Sequence, residues 1–221
     1  MLQRTATPDI WRTQIIALCI FILSAIVFTS QPTVAVGSTT SYYPVGPQRN
    51  VPITTLTDAG WVRCFSETWD SEVTRLSTIQ ASCSGSDLIL TGRPVGASVL
   101  TLLAAAPRTT VFHVTRDNAP MLANGSWWYY TPVLSSQTTL SSNSGSIGFS
   151  NSRTIRQTTC DYPEAPLRLC WHIGHGDTLI SGYQMDGVVL NSGSDFLREV
   201  YMLGGGCGLR ARARERCRPT R

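Results

Sequence analysis

Three short apolar runs between Ser82 and Val114 constrain the fold of this chain more than any other feature of its sequence. The runs are Leu88–Leu90, Val99–Ala106 and Val111–Phe112 with Val114. Glycines and prolines bound them, and apolar runs of about four to eight residues with such boundaries are typical of buried β-strands. The run Val99–Ala106 is rich in Leu and Ala and is also compatible with a helical turn. Because Gly96 and Pro107 leave too few residues for a stable helix, we predict a strand there as well.

Alternation of large apolar residues with polar or smaller ones continues along the rest of the body. The segments that show it are Trp61–Phe65, Trp127–Tyr130, Ile147–Phe149, Leu167–His172, Leu179–Ile180 and Phe196–Met202. Together with the central runs they make about nine or ten short strands, which is typical of an antiparallel sandwich or barrel. We therefore predict an all-β fold, a single antiparallel β-sandwich or barrel-like domain with short loops. Val73–Gln80 has helix-like spacing and forms either one short helix or no regular structure.

The N-terminal residues 1–37 have the organisation of a targeting segment. Arg4 and Arg12 supply a positive region ahead of Ile15–Phe28, an apolar run of 14 residues. Ala35–Gly37 then presents small residues of the kind that a signal peptidase recognises. A membrane span takes about 20 apolar residues, which is more than this run provides. We expect a cleaved signal peptide, with a retained signal anchor as the alternative.

Positive charge is concentrated at the C-terminal end of the chain. All 18 basic residues are arginines, and six of them fall within the last twelve positions. Residues 38–206 carry ten arginines against twelve Asp and Glu residues, a net charge of −2. A near-neutral body lacks the basic face of a nucleic-acid-binding domain, so we expect no nucleic-acid partner. The tail 204–221 begins with three glycines, lacks apolar periodicity and is predicted to be disordered.

Cysteines in the body indicate an oxidising compartment. Cys64, Cys83, Cys160 and Cys170 form an even set whose spacings do not match a zinc knuckle, so we predict disulfides. Four cysteines allow three connectivities. The local pairing, Cys64 with Cys83 and Cys160 with Cys170, closes short loops, and each bond would contribute about 3 kcal/mol.

These features divide the chain into four predicted parts. They are a signal peptide or signal anchor at 1–37, a flexible lead-in at 38–50, a disulfide-stapled β domain at 51–203 and the Arg-rich tail at 204–221. We expect a secreted or extracellular protein, and a single-pass membrane-anchored one is the alternative. Contact with a membrane is expected only if the first part is retained.

A series of short motifs occurs in a fixed order over about residues 58–203. They are Gly60-Trp61-x-x-Cys64, Ser82-Cys83-x-Gly85, Leu88-x-Leu90, Arg93-Pro94-x-Gly96, Leu100–Ala104, Ala106–Arg108, Ala123–Gly125 with Trp128–Tyr129, Ser146-x-Gly148-Phe149, Cys160–Asp161, Arg168–His172 and Arg198–Tyr201. In this order they resemble an uncharacterised module of secreted and cell-surface proteins of bacteria and protists. The resemblance implies export, and it assigns no catalytic residues.

The chain departs from that module at two positions. Members carry a further cysteine where Thr91 or Gly92 stands here, and another near Met185 within Gly182–Gly187. Both cysteines are absent, as if both partners of a third disulfide had been lost together. We therefore expect a softer loop at Gly182–Gly187.

Two features between residues 124 and 130 bear on recognition. Asn124 begins an Asn-Gly-Ser sequon for N-glycosylation, and Asn-Gly also favours a tight turn. The aromatic run that follows consists of Trp127, Trp128, Tyr129 and Tyr130. On a strand these side chains alternate, so one pair is core and the other either packs under a second layer or is exposed as a stacking platform. All four are candidate binding residues, and Asn124 is the candidate glycosylation site.

His172-x-x-His175-x-Asp177 is the best candidate for a metal site in the sequence. Imidazole and carboxylate groups on a loop after a strand are suitable ligands for zinc or another transition metal. A complete site needs a third or fourth ligand and ordered partners around the ligands. Because glycines at 174 and 176 make the segment flexible, the alternative is that His172 only caps the strand.

A second group of titratable residues consists of Glu67, Asp70 and Glu72. These carboxylates fit glycoside hydrolysis or calcium binding, and a solvated loop explains them more simply. The sequence contains no Gly-x-Ser-x-Gly, His-Glu-x-x-His or P-loop motif, so it lacks the common signatures of hydrolases and nucleotide-binding proteins.

The leading hypothesis is a secreted or cell-surface, non-catalytic recognition module for a carbohydrate or another surface polymer. One alternative is a metal-assisted hydrolase that uses His172, His175 and Asp177. Another is a structural surface-coat protein assembled through Cys207 and Cys217. No cofactor is expected.

Overall fold

The computed structural model describes residues 41–115, 119–133, 145–153, 166–190 and 193–204. Strands dominate this part of the chain and form two antiparallel sheets. They are β1 Gln48–Pro52, β2 Val62–Thr68, β3 Asp87–Pro94, β4 Val99–Pro107, β5 Met121–Ala123, β6 Ser126–Thr131, β7 Gly145–Ser150, β8 Leu169–Ile173, β9 Leu179–Met185, β10 Val188–Val189 and β11 Phe196–Leu203. The first sheet has five strands in the order β1-β4-β3-β11-β2, and the second has six in the order β10-β9-β8-β7-β6-β5.

Short helical segments connect some of the strands. They are α1 Ile53–Asp58, α2 Leu76–Ser82, α3 Arg108–Val111 and a 3-10 turn at His175–Asp177. None of the described helices is long and apolar enough to cross a membrane. The predicted signal segment 1–37 and the tail beyond residue 204 lie outside the described residues.

The all-β prediction is confirmed, and the sheets do not close into a barrel. The segment Val111–Val114 is wrong as a strand, since Val111 ends α3. Pro107 ends β4, and the amide of Phe112 then donates to the carbonyl of Arg108 at 3.2 Å, which closes a helical turn. Apolar periodicity over so few residues does not separate a strand from one turn of helix.

The core lies between the two sheets, which pack face to face. The first sheet contributes Leu88, Leu90, Leu102, Ala104 and Val200, and the second contributes Trp128, Ile147, Phe149, Trp171 and Ile173. Trp69, directly after β2, is fully buried in this core, and its ring meets that of Trp171 edge-on with the centroids 6.4 Å apart. Its indole N–H donates to the carbonyl of Gly182 in the second sheet at 3.0 Å.

The stretch Gly182–Gly187, expected to be a soft loop, is instead the end of β9 and the turn into β10. The turn residues Asp186 and Gly187 have positive φ angles of 56° and 83°, as tight hairpin turns require. Met185 is buried and faces Gly92 across the core, because a Cβ added to Gly92 would lie 2.7 Å from the Met185 sulfur. Gly92 and Met185, the positions near which the sequence predicts a lost disulfide, are therefore neighbours in this structure.

A second apolar cluster covers the outer face of the first sheet. Its buried members are Val51, Leu56, Trp61, Ile89, Leu100, Leu103, Ala105 and Tyr201. α1 supplies Leu56, and the indole N–H of Trp61 donates to the carbonyl of Tyr42 at 2.9 Å, which fastens the segment before β1 over this face. Strands buried on both faces have continuous apolar runs, and this explains the unbroken Leu88–Leu90.

The same outer face buries a carboxylate. Glu199 on β11 is fully buried, and Arg93 on β3 donates to its two carboxylate oxygens at 2.9 and 3.1 Å. Arg63 on β2 adds a contact of 2.9 Å. An unpaired buried carboxylate is costly, and bidentate pairing with arginine offsets that cost. The pairing therefore ties β3, β11 and β2 together.

Cys64 on β2 and Cys83, the residue that follows α2, form a disulfide with their Cα atoms 5.2 Å apart. This part of the disulfide prediction is confirmed. Cys170 is disulfide-bonded as well, and Cys160 lies outside the described residues. The bond between Cys64 and Cys83 fixes α2 against the edge strand of the first sheet.

Replacing Cys64 and Cys83 together by alanine should lower the free energy of unfolding by about 3 kcal/mol, because the lost bond closes a loop of 19 residues in the unfolded chain. Urea denaturation followed by tryptophan fluorescence measures the change. Exposed Ser84, replaced by alanine, is the matched control and should keep the parent midpoint. A double variant as stable as the parent would contradict a stabilising role.

Candidate functional site

The four candidate aromatic residues lie on β6 and alternate between its two faces. Trp128 and Tyr130 belong to the core between the sheets, while Tyr129 joins Cys170 and Tyr183 in a small cluster on the other face. Trp128, Tyr129 and Tyr130 are only 1, 3 and 5 % exposed, so their rings cannot form an open stacking platform. Trp127 is half-buried, and it alone of the four keeps a substantial accessible surface.

Trp127 lies beside a hydrophobic residue and a cation. Its cross-strand partner on β5 is Leu122, which is 57 % exposed. Its partner on β7 is Ser150, and the guanidinium of Arg153, three residues further on, lies over the Trp127 ring at 5.6 Å from the centroid. We call Leu122, Trp127 and Arg153 the Trp127 patch.

Tyr129, on the same face of β6 as Trp127, has a structural role. Its hydroxyl donates to the carbonyl of Leu169 at 2.7 Å, and the buried guanidinium of Arg168 lies over its ring at 5.5 Å. Burial raises the pKa of the Tyr129 hydroxyl. Gly148 on β7 makes room for this contact, because a Cβ there would lie 2.0 Å from the Leu169 carbonyl oxygen and 3.0 Å from the Tyr129 hydroxyl.

His172 lies beside a bulge in β9. His172 pairs with Ile180 while the preceding Trp171 pairs with Tyr183, so Ser181 and Gly182 are extra residues on β9. The His172 Nδ1 lies 2.9 Å from the carbonyl oxygen of Ser181, and its ring stacks on Tyr183 with the centroids 4.1 Å apart. Tyr183 has a φ of 69°, an unusual backbone conformation for an aromatic residue.

Two of the three clustered carboxylates hold structural contacts. Glu67, at the end of β2 rather than in a loop, accepts from the buried Arg198 at 2.8 Å and from the Thr74 hydroxyl at 2.6 Å. Glu72 accepts from the hydroxyl and the amide of Ser181 at 2.8 and 3.2 Å, and these bonds lower its pKa. Asp70 is exposed.

The predicted metal ligands do not come together. Within the described ranges, no three His, Cys, Asp or Glu side chains could hold a metal ion as a group. His172 is turned toward the bulge carbonyl and the Tyr183 ring, and His175 is exposed in the 3-10 turn. Asp177 instead lies beside the Tyr130 hydroxyl, and its carboxylate helps to raise the pKa of that hydroxyl. The spacing in sequence suggested a site, but His172, His175 and Asp177 do not form a group of ligands in the described part of the chain.

The sequon forms the turn between β5 and β6. Asn124 and Gly125 have positive φ angles of 46° and 73°, as an Asn-Gly turn requires. The Asn124 Nδ2 donates to the carbonyls of Pro44 at 2.7 Å and Ala105 at 2.9 Å. Glycosylation replaces one hydrogen of this nitrogen, so a glycan and the two hydrogen bonds compete for the same atom. The Ser126 hydroxyl is buried and has no hydrogen-bond partner in the described chain.

Sequence reasoning missed Arg153, the one charged member of the Trp127 patch. It lies in a Ser- and Thr-rich stretch that has no charge pattern or motif around it. Only the register, which pairs Trp127 with Ser150, brings Arg153 onto the indole. The cysteines predicted to assemble a surface coat, Cys207 and Cys217, lie outside the described residues.

Comparisons with known proteins leave the resemblance to secreted modules as a prediction. No protein-family model matches the chain, and no curated protein or solved structure shows significant similarity to it. Geometry and chemistry therefore carry the functional argument.

Alkaline pH should destabilise the domain through Tyr130. Burial and the neighbouring Asp177 raise the pKa of its hydroxyl from 10.0 to about 12. The unfolded chain therefore loses this proton first, so the stabilisation is complete below pH 10 and is lost as the pH rises toward 12. Tyr130→Phe should show a smaller loss of stability between pH 9 and about 11.5 in urea titrations. An equal loss in the variant and the parent would show that Tyr130 does not contribute.

The Asn124 amide should stabilise the hairpin. Asn124→Gly keeps the positive φ but removes both donors, so it should lower the free energy of unfolding by about 2 kcal/mol. Ser126→Ala is the matched control, because it also removes the sequon but leaves the Asn124 contacts intact and deletes a buried, unpartnered hydroxyl. We expect it to be at least as stable as the parent. Equal losses in both variants, with mass spectrometry showing a glycan on the parent, would assign the effect to glycosylation instead.

Proposed function

We propose that this protein is a secreted, non-catalytic recognition module that binds a glycan or another surface polymer through the Trp127 patch. The observation that carries the proposal is the half-buried Trp127 ring, held between an exposed Leu122 and the Arg153 guanidinium. Sugar rings present C–H groups on one face and hydroxyls around the edge. An indole with an apolar neighbour and a hydrogen-bond donor at its side matches both features.

The scaffold supports this role because it holds Trp127 on rigid elements. β6 is paired on both sides, with β5 and β7, so the backbone that carries the indole is fixed. Trp128, the next residue, anchors the strand in the core with its ring 5.3 Å from that of Phe149. A preformed contact surface loses little conformational entropy on binding.

Export is part of the proposal. The disulfide between Cys64 and Cys83 is suited to an oxidising compartment, and the predicted signal peptide would deliver the chain there. Recognition of a surface polymer requires that location.

Trp127→Ala should lower binding to glycans by about tenfold or more, because it removes the stacking face. The measurement is binding of the purified full chain to an array of neutral and acidic oligosaccharides, with thermal melting to confirm that the variant folds. Val73→Ala is the control, since it removes exposed apolar surface away from the Trp127 patch and should leave binding unchanged. A parent that binds no glycan on the array, or a Trp127→Ala variant that binds as well as the parent, would refute the proposal.

A further inference from the structure

We infer that the Trp127 patch selects an acidic sugar, with the Arg153 guanidinium pairing with the carboxylate of a uronic acid. The inference rests on the glycan binding proposed above and adds the chemical class of the ligand. The Arg153 guanidinium differs from those of the arginines on the described strands, which all pair with carboxylates.

The arginines on the described strands are committed to acceptors. Arg49 pairs with Asp186, Arg63 and Arg93 pair with Glu199, and Arg198 pairs with Glu67. Arg153 is exposed, and within the described part of the chain its guanidinium contacts the Trp127 ring. None of the described residues accepts a hydrogen bond from its five N–H donors or pairs with its charge.

Stacking on Trp127 prepares the guanidinium for recognition. The indole face attracts the cation, and the guanidinium carbon lies 5.6 Å from the ring centroid, so the position of the group is restricted. A planar guanidinium held in this way pairs with a carboxylate through two parallel hydrogen bonds. Part of the conformational entropy of this long side chain is then already lost in the free protein, so less is lost when the ligand binds.

A uronic acid satisfies both parts of the patch at once. Its carboxylate is attached directly to a ring carbon, so the charged group and the C–H face lie within one sugar unit. The carboxylate would pair with Arg153, and the C–H face would pack on Leu122 and the accessible part of Trp127. A neutral sugar would use only the apolar part and leave the guanidinium without a charged partner.

The test compares trigalacturonic acid with its trimethyl ester, which has the same rings without the charges, by calorimetry on the full chain. The parent should bind the acid at least about tenfold more tightly than the ester. This difference in affinity corresponds to the free energy of one hydrogen-bonded charge pair. Arg153→Gln should reduce that preference to the part that the arginine-rich tail contributes in every variant, and should keep weak binding to both ligands. Arg75→Gln removes a charge from an exposed arginine elsewhere and should bind like the parent.

The arginine-rich tail is present in every variant, so its attraction to anions does not distinguish them. Arg153→Lys keeps the charge but loses the planar pair of donors, and should recover only part of the preference. The inference is overturned if the parent binds acid and ester equally, if it binds neither, or if Arg153→Gln retains the parent's preference for the acid. Binding of neutral glycans on the array with no acid preference would overturn this inference alone. An array without any bound glycan would also remove the proposed function.

Discussion

Burial of one indole between the sheets is the constraint on which the rest of the structure depends. Trp69 packs edge-on against Trp171 and donates to the carbonyl of Gly182, so one side chain links the end of β2 to the second sheet. Its position is possible only because Gly92 and Gly193 lack side chains. A Cβ on Gly92 would lie 2.9 Å from the Trp69 ring, and one on Gly193 would lie 2.8 Å from the Trp69 Cβ. The indole and the two glycines therefore determine how closely the sheets approach.

The Trp69 contact also explains the bulge in β9 and the role of His172. Gly182 accepts the indole N–H at the point where the β8–β9 register shifts, and Tyr183 is held there at a φ of 69°. The two extra residues turn the Ser181 carbonyl toward His172 Nδ1, and Glu72 binds the Ser181 amide and hydroxyl from the other side. The histidine that looked like a metal ligand in the sequence thus stabilises an irregular strand.

Local sequence pattern predicted the longer strands, failed at Val111–Val114 and did not show the contacts between strands. The runs at Leu88–Leu90 and Val99–Ala106 are strands because each is long enough and bounded by turn residues. Pattern alone did not decide which face of β6 packs between the sheets, since Trp127 and Trp128 are equally apolar. That choice is made by register, which aligns Trp128 with Phe149 in the core.

Long-range pairing explains the other omissions. Arg93 and Glu199 are 106 positions apart, so no window on the chain shows that each neutralises the other inside the protein. The same holds for Arg153 and Trp127, which meet only because β6 and β7 are neighbours. Single arginines in a polar stretch carry no signal that separates a surface charge from a buried or stacked one.

The lengths of the outermost strands restrict how this sandwich can join another. The second sheet ends in β5 and β10, which have three and two residues, too few to present a continuous row of unpaired amides and carbonyls. The first sheet ends on one side in the seven-residue β2, whose far side meets no other described strand, and on the other side in β1, which closes with a proline. Among the described strands, β2 is therefore the longest one with an unpaired edge.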